Sequence, residues 1–327
     1  MSSDSATVLK ERPAQSRGRI DLLDVARAVA LLAMLVYHFT WDLEFFGYLP
    51  AGTVFEGGWR IFARTIATSF LVLVGISLVL AHPGGVIRRR PYLIRLAQVV
   101  AGATAVSAAT YAFTPQSFVF FGILHQIAFA SVVGLVFLRA PAAVTALAGL
   151  AVIALPIIYQ TDVTNTRWLA WIGLSTSEPL SNDLVPVFPW TGVVLFGMAA
   201  GRLATNLNLW ARLRTYNSNA VPMRVMTKLG RHSLAFYLIH QPASLALVAA
   251  YAWAWPADRV AHFPADCQRS CVAEVADEAY CTNYCGCVQS ELTERNLLSD
   301  LLEGRLDEAG QSTLRETILT CSANAAR

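Results

Sequence analysis

The sequence predicts an all-α fold: a polytopic membrane helix bundle of about seven transmembrane helices, followed by a small C-terminal disulfide-rich helical domain. Of the 327 residues, 55% are hydrophobic and 14% are charged, and the mean hydropathy is +0.47, whereas about a quarter of the residues in soluble domains are charged. Residues 1–257 carry a net charge of +9 and residues 258–327 one of −6, and all six cysteines lie in the second region. Two parts in different solvents are therefore expected.

Seven apolar stretches are long enough to cross a hydrocarbon core of about 30 Å, which takes about 20 helical residues. They lie at residues 22–45, 59–81, 92–113, 118–138, 142–159, 186–204 and 232–255. The fifth stretch is short and contains Pro156, which leaves the count open by one. No cleavable signal peptide is expected, because the first 19 residues are polar and the apolar run that follows is too long.

The basic residues predict the orientation of these spans. Fifteen Lys and Arg residues fall before the first stretch or after the second, fourth and sixth. The alternate loops, 46–58, 114–117 and 160–185, contain only Arg167. By the positive-inside rule the N-terminus is cytoplasmic, and seven crossings put the C-terminus outside. We therefore expect a multi-pass protein of the bacterial inner (plasma) membrane, surrounded by membrane lipids.

The predicted domains are a cytoplasmic N-terminal tail over residues 1–19, a transmembrane domain over 20–257 and a periplasmic Cys-rich helical domain over 258–327. The cysteines of the last domain are Cys267, Cys271, Cys281, Cys285, Cys287 and Cys321. Two i, i+4 pairs, each on one helix face, favour an antiparallel hairpin joined by Cys271–Cys281 and Cys267–Cys285, which leaves Cys287 for Cys321. Six cysteines permit fifteen pairings, so other connectivities stay open. A zinc site is the alternative, but the usual C-x2-C knuckles and histidine ligands are missing, and no metal is expected.

Four ionisable residues in the first apolar stretch form one polar stripe. At 100° per residue, Asp24, Arg27, His38 and Asp42 fall within an arc of about 60°, with His38 about 16 Å beyond Arg27. An ionisable group at the bilayer centre costs about 2.5–3.5 kcal/mol on insertion scales, so the stripe must face protein or water. It predicts a site or pathway in which Asp42 orients the His38 imidazole. The alternative is a set of buried ion pairs that lock helix packing.

Three further residues are candidates, each with a structural alternative. His125 lies at a depth close to that of His38 and would complete the same site, or else it forms hydrogen bonds between helices. His240 precedes Pro242, which frees a backbone carbonyl to line a cavity. Trp190 follows two prolines near a substrate mouth, although a lone tryptophan is commonly an interface anchor.

Arg27 followed after ten residues by His38 resembles the Arg-x10-His signature of the acyltransferase type 3 membrane family. Over about residues 19–255 the chain also resembles the bacterial branch of the heparan-alpha-glucosaminide N-acetyltransferase catalytic-domain family. The blocks that carry this resemblance are Arg19-Ile-Asp-Leu-Leu-Asp24-Val-Ala-Arg27, Met34 to His38, Asp42-Leu, Phe70 to Leu78, Gly122-Ile-Leu-His125, Phe188-Pro-Trp190 and Leu229 to Pro242. Ala28 stands where this family usually has glycine.

The resemblance implies an enzyme that transfers an acetyl group from cytoplasmic acetyl-CoA to a glycan or other cell-envelope acceptor, in N- or O-acetyl transfer. His38, with Asp42 and His125, is then catalytic, as a general base or an acyl relay, and Arg27, Asp24, Trp190 and His240 bind donor or acceptor. A proton-coupled transporter would use the same stripe, and a scaffold would use the Cys-rich domain to bind an envelope partner. No nucleic acid is expected as a partner.

Overall fold

The computed structural model describes residues 19–215 and 220–326. α-Helices and four short 3-10 helices make up the regular structure of these residues, so the predicted all-α class is confirmed. The helices are α1 (Asp21–Phe45), α2 (Gly57–Ala81), α3 (Arg89–Phe113), α4 (Ile123–Val136), α5 (Ala142–Ile158), α6 (Val187–Asn206), α7 (Leu209–Thr215), α8 (Val221–Arg231), α9 (Ser233–Ala254), α10 (Arg259–Val275), α11 (Glu278–Glu294), α12 (Leu298–Leu302) and α13 (Glu308–Ala325).

Among the described residues, five helices are long and apolar enough to cross a membrane, namely α1, α2, α3, α6 and α9. The other two predicted spans are present as shorter apolar helices, because α4 has 14 residues and α5 has 17. At 1.5 Å per residue α4 is about 21 Å long, less than a hydrocarbon core of about 30 Å. The prediction that the fourth span begins at residue 118 was wrong by five residues. The protein is a multi-pass membrane protein.

The segment before α4 is irregular because it pairs with the chain before α6. Asn182 N donates to Ser117 O at 2.7 Å, and Val185 N donates to Phe121 O at 3.0 Å. These bonds satisfy backbone groups that helical residues would satisfy within their own helix, and such pairing is required wherever irregular backbone lies at membrane depth.

The described chain divides into two compact units. The first contains residues 19–32 and 66–238, and the second contains residues 33–65 and 239–326. α1, α2 and α9 each contribute to both units. The division into tail, transmembrane domain and Cys-rich domain stays a prediction.

Close glycine contacts organise the first unit around α6. A Cβ added at Gly192 would lie 2.6 Å from Gly149 O of α5, and one at Gly197 would lie 2.4 Å from Val72 O of α2. A Cβ at Gly75 of α2 would lie 2.2 Å from Val194 O. Small residues let helix backbones approach in this way in membranes, where dispersion contacts replace the hydrophobic effect between helices.

Helices α10 to α13 of the second unit contain three disulfides, and these helices are called the Cys-rich domain below, after the predicted division. Cys267–Cys285, Cys271–Cys281 and Cys287–Cys321 are the pairs, as the cysteine spacing favoured. Asp258, Asp277 and Asp307 start α10, α11 and α13, each accepting a hydrogen bond from the backbone N–H three residues later. Such caps are worth about 1 kcal/mol each. Leu292, Leu298 and Cys321 form its buried core.

The disulfide loops predict an order of stabilisation. The chain-entropy model gives about 4 kcal/mol for the Cys287–Cys321 loop and about 3 kcal/mol for the Cys271–Cys281 loop, because their sequence separations are 34 and 10 residues. Replacing each pair by serine should therefore lower the urea midpoint for proteolysis of the Cys-rich domain, more for Cys287/Cys321. Equal midpoints for wild type and both variants would contradict this order.

Candidate active site

The Asp24 carboxylate is the centre of an arginine cluster in the first unit. Asp24 is fully buried, and its Oδ1 accepts a hydrogen bond from Arg27 Nη1 at 2.5 Å. Its Oδ2 accepts one from Arg19 Nε at 2.9 Å and lies 3.5 Å from Arg231 Nε. A buried charge must be paired to persist, and here the carboxylate fixes the positions of three guanidinium groups.

The second terminal nitrogen of the Arg27 guanidinium group also forms a hydrogen bond. Arg27 Nη2 donates to Ser77 Oγ of α2 at 2.6 Å. Ser77 is a small polar residue in an otherwise apolar stretch, a signal that the sequence interpretation missed. Because Asp24 and Ser77 each take one nitrogen, the guanidinium of Arg27 has a fixed plane.

A close backbone approach brings Arg231 to this cluster. A Cβ added at Gly230 of α8 would lie 1.8 Å from the Asp24 carbonyl oxygen, so only glycine fits there. The neighbouring Arg231 donates from Nη2 to Asp21 Oδ1 at 2.9 Å. Arg231 is one of the fifteen basic residues used for topology, and its sequence position alone did not show this role.

Two cavities border the cluster. The smaller, of about 480 Å³, combines Arg27, Arg95 and Arg231 with an apolar and aromatic lining that includes Phe70 and Tyr237. The larger, of about 1260 Å³, is strongly basic. Its lining includes Arg19, Arg27, Arg88, Arg139, Arg202 and Arg214, and Asp24 is the acidic residue among the described residues that line it. Arg19, Arg27, Ser77 and His82 line both cavities.

His38 and His240 form a pair of imidazoles in the second unit. Their ring centroids are 5.1 Å apart, at an interplanar angle of 60°. His240 is buried, and Tyr37 packs edge-on against His38 with ring centroids 5.6 Å apart. The structure therefore brings together two candidate residues that are about 200 positions apart in sequence.

The Asp42 carboxylate binds α9 rather than His38. Asp42 is fully buried, and it accepts hydrogen bonds from Gln241 Nε2 at 2.7 Å and from Ser244 Oγ. Gln241 follows His240 directly, so Asp42 holds the segment of α9 that carries His240. Among the described hydrogen bonds none joins Asp42 to His38. Gln241 and Ser244 are polar residues of an apolar helix that the sequence interpretation passed over.

His125 has both ring nitrogens engaged in the first unit. Nδ1 accepts from Gly122 N at 3.2 Å, so the proton is assigned to Nε2, which lies 3.3 Å from Ser107 Oγ. Ser107 donates its own proton to Val119 O at 2.6 Å. This arrangement caps the N-terminus of α4, a structural role that the sequence left open. The catalytic role of His125 stays a prediction.

Asp183 completes the N-terminus of α4 from the loop before α6. Its Oδ2 accepts a hydrogen bond from Ile123 N at 2.9 Å, the favourable placement for a carboxylate at a helix start. Trp190 packs with Tyr237 against the apolar cluster around Leu71 and Ile123. The predicted role of Trp190 at a substrate mouth stays a prediction.

These features define a polytopic membrane protein that carries an arginine-lined cavity and a pair of intramembrane histidines. The model of the family described as "Heparan-alpha-glucosaminide N-acetyltransferase, catalytic" matches residues 19–242, so the chain belongs to this family. Membership confirms the resemblance seen in the sequence and makes the protein a membrane acetyltransferase. Comparison with curated proteins and with solved structures gave no match.

Asp183 predicts a pH dependence of stability. Burial raises the pKa of Asp183 to about 6, although the hydrogen bond from Ile123 N acts to lower it. Because this carboxyl has a higher pKa in the folded than in the unfolded protein, the folded protein binds the extra proton. The contribution of this proton to the free energy of unfolding is fully present below a pH of about 4. It amounts to about 3 kcal/mol and is lost as the pH rises through about 6.

Asp183→Asn should remove this pH-dependent contribution to stability, because the amide oxygen still accepts a hydrogen bond from Ile123 N but the amide does not titrate. The measurement is the difference in thermal-unfolding midpoint between variant and wild type from pH 4 to 7, in which the titration of other groups cancels. The variant should gain relative stability toward pH 7. A difference that is constant with pH would show that Asp183 does not titrate in this range.

Proposed function

We propose that the protein transfers an acetyl group from cytoplasmic acetyl-CoA to a glycan or other cell-envelope acceptor, with His38 as the reacting residue. The observation that carries the proposal is the arginine-lined double cavity around Arg27. Coenzyme A bears several phosphate charges, and arginine binds phosphate through charge-assisted, commonly bidentate hydrogen bonds.

The lining of each cavity suits a different part of the donor. The larger cavity, with six arginines among its described lining residues, matches the phosphorylated nucleotide. The smaller cavity adds apolar and aromatic walls to Arg27, Arg95 and Arg231, which matches the less polar pantetheine arm. Arg27 lines both, so it is placed to bind where the two parts of the donor join.

His38 supplies the proton chemistry of the transfer. As a general base, its imidazole takes the proton of an acceptor amine or hydroxyl while that group attacks the thioester carbonyl. The carbon–sulfur bond breaks, and the leaving thiolate takes up a proton to give free CoA. As an acyl relay, the imidazole itself attacks the thioester carbonyl, the carbon–sulfur bond breaks, and the leaving CoA thiolate takes up the proton that the imidazole loses. The acceptor then attacks the acetyl-imidazole, the acetyl–nitrogen bond breaks, and the imidazole takes up the acceptor's proton. His240, held by the Asp42–Gln241 bond, is the adjacent group that can share the proton in either route.

The location of the donor supports the predicted orientation of the protein in the membrane. Acetyl-CoA is cytoplasmic, and apart from Arg27, which lies within the first apolar stretch, the arginines that line the cavities are among the basic residues that the positive-inside rule assigns to the cytoplasm. The three disulfides suit an oxidising compartment such as the periplasm for the Cys-rich domain. We therefore propose an inner-membrane protein with a cytoplasmic N-terminus, which takes its donor from inside and acts on an acceptor outside.

Arg27→Lys should weaken acetyl-CoA binding by roughly tenfold, because one ammonium cannot replace a guanidinium whose two nitrogens bind Asp24 and Ser77. The measurement is a calorimetric titration of the purified protein. Arg90→Lys is the matched control, because Arg90 is an exposed arginine on the predicted cytoplasmic side of the membrane and lines neither cavity. Unchanged affinity in Arg27→Lys together with a lowered melting temperature would assign Arg27 to structure alone.

His38→Ala should abolish CoA release in the presence of glucosamine, used as an amine acceptor probe, while acetyl-CoA binding is retained. His125→Ala should reduce turnover less and should lower thermal stability, because the cap of α4 is lost. Turnover by His38→Ala at the wild-type rate would exclude the proposed mechanism. Labelled acetyl found on His38 without acceptor would favour the relay over the base.

A further inference from the structure

The loop that follows α1, here the α1–α2 loop (residues 46–56), is bound by a carboxylate of α1. Glu44 Oε1 accepts a hydrogen bond from Gly52 N at 2.6 Å, and Oε2 accepts one from Val54 N at 3.0 Å. Gly52 has φ +82°, a conformation that favours glycine. With both oxygens engaged, Glu44 fixes the loop against α1 two residues beyond Asp42.

The same loop contacts the residues around His38. Val54 is fully buried, and its carbonyl oxygen lies 3.4 Å from the Tyr37 hydroxyl. Tyr37 packs edge-on against the His38 ring. A shift of Val54 would therefore remove a support of Tyr37, and through Tyr37 it would change the packing of the His38 imidazole.

Helix α10 of the Cys-rich domain holds the α1–α2 loop in place. Asp266 Oδ1 accepts a hydrogen bond from Ala51 N at 2.7 Å, and Arg269 Nε lies 3.4 Å from Glu56 Oε1. The Arg259 side chain crosses Gly47, where an added Cβ would lie 2.9 Å from it. The loop is thus attached at several points to α10 as well as to Glu44.

Two disulfides fix α10 at the points where it holds the loop. Cys267 follows Asp266 directly and is bonded to Cys285, and Cys271 follows Arg269 by two residues and is bonded to Cys281. The third bond, Cys287–Cys321, joins α11 to α13 and does not involve α10.

We propose that Glu44 is a positioning residue, which with Asp266 and Arg269 makes the disulfide-stapled domain set the orientation of His38. The order of contacts is α10, the α1–α2 loop, Glu44 and Val54, then Tyr37 and His38. The effect on turnover rests on the proposed function, whereas the effect on the His38 environment does not.

The first test measures His38 directly. Purified full-length protein in detergent is treated with diethyl pyrocarbonate, and the modification rate of each histidine is read by mass spectrometry. Glu44→Ala should raise the rate at His38 by roughly tenfold, because two charge-assisted hydrogen bonds that close the loop are lost. Glu44→Gln, which keeps one acceptor oxygen, should give a smaller rise and serves if the alanine variant does not fold. His232, exposed and in the other unit, should react equally in all variants.

Two arginines of the Cys-rich domain form a matched pair for the second test. Arg269 and Arg295 each lie 3.4 Å from one glutamate, Glu56 for Arg269 and Glu291 for Arg295. The first ion pair joins α10 to the α1–α2 loop. The second joins Glu291 of α11 to Arg295, the residue that follows α11. Arg269→Ala should raise His38 modification by about two- to fivefold, the scale of an exposed ion pair. Arg295→Ala should leave it unchanged.

A comparison of two disulfide variants separates the effect of the position of α10 from the effect of the overall stability of the Cys-rich domain. The Cys287–Cys321 loop is longer than the Cys267–Cys285 loop, 34 against 18 residues, so its loss should destabilise the domain at least as much. If the proposal holds, Cys267→Ser/Cys285→Ser exposes His38 more than Cys287→Ser/Cys321→Ser does. The reverse order would mean that His38 follows domain stability rather than the contacts of α10, and it would overturn the proposal.

Turnover supplies the last reading. Glu44→Gln should lower kcat for CoA release with glucosamine and leave the KM for acetyl-CoA unchanged, because the arginine cluster is not touched. An unchanged His38 modification rate in both Glu44→Ala and Arg269→Ala would exclude the proposal, whatever the activity. If His38 responds as expected while wild type releases no CoA, the positioning role stands and the proposed acetyl transfer fails.

Discussion

The pairing of one buried carboxylate with three arginines supports the rest of the membrane part. Asp24 is fully buried, and removing one partner of such a group leaves an uncompensated charge, which typically costs 3–5 kcal/mol. The pairing constrains α1 through Arg27, the residues just before α1 through Arg19, α2 through Ser77, and α8 through Arg231 and the backbone contact at Gly230. One carboxylate, directly or through Arg27, thus links three helices beside the two cavities.

The two groups of polar residues on α1 have different environments and, in the proposed function, different tasks. The Asp24 group collects positive charge, which suits an anionic donor. The Asp42 group is nearly neutral apart from its carboxylate, because Gln241 and Ser244 are uncharged, and it places His240 beside His38. Binding the donor and moving a proton need opposite environments, since the first is favoured by fixed cations and the second by an imidazole free of a cationic neighbour.

The helical class, the apolar helices and the disulfide pairs could be predicted from the sequence, since hydropathy, charge and cysteine spacing report directly on solvent and helix face. The polar stripe was visible because Arg27 and His38 stand out in an apolar run. Its partners were not visible, because Ser77, Gln241 and Ser244 are common residues whose role depends on tertiary packing. For the same reason the sequence did not show that the described hydrogen bonds of Asp42 go to Gln241 and Ser244 rather than to His38. Two residues one turn apart share a face, but a carboxylate there bonds to whichever donor packs against it, and that donor lies on α9.

The 14 residues of α4 have a consequence for the lipid around the protein. A helix of about 21 Å in a hydrocarbon core of about 30 Å leaves a mismatch, which a bilayer meets by thinning near the short helix. The irregular segments that flank α4 would occupy the depth where lipid headgroups are drawn inward. A hydrophilic acceptor would then cross a thinner apolar layer on its way to the enzyme, and bilayers with longer acyl chains would resist that deformation. Under the proposed function, membrane thickness would then act on the access of the acceptor as well as on the anchoring of the protein.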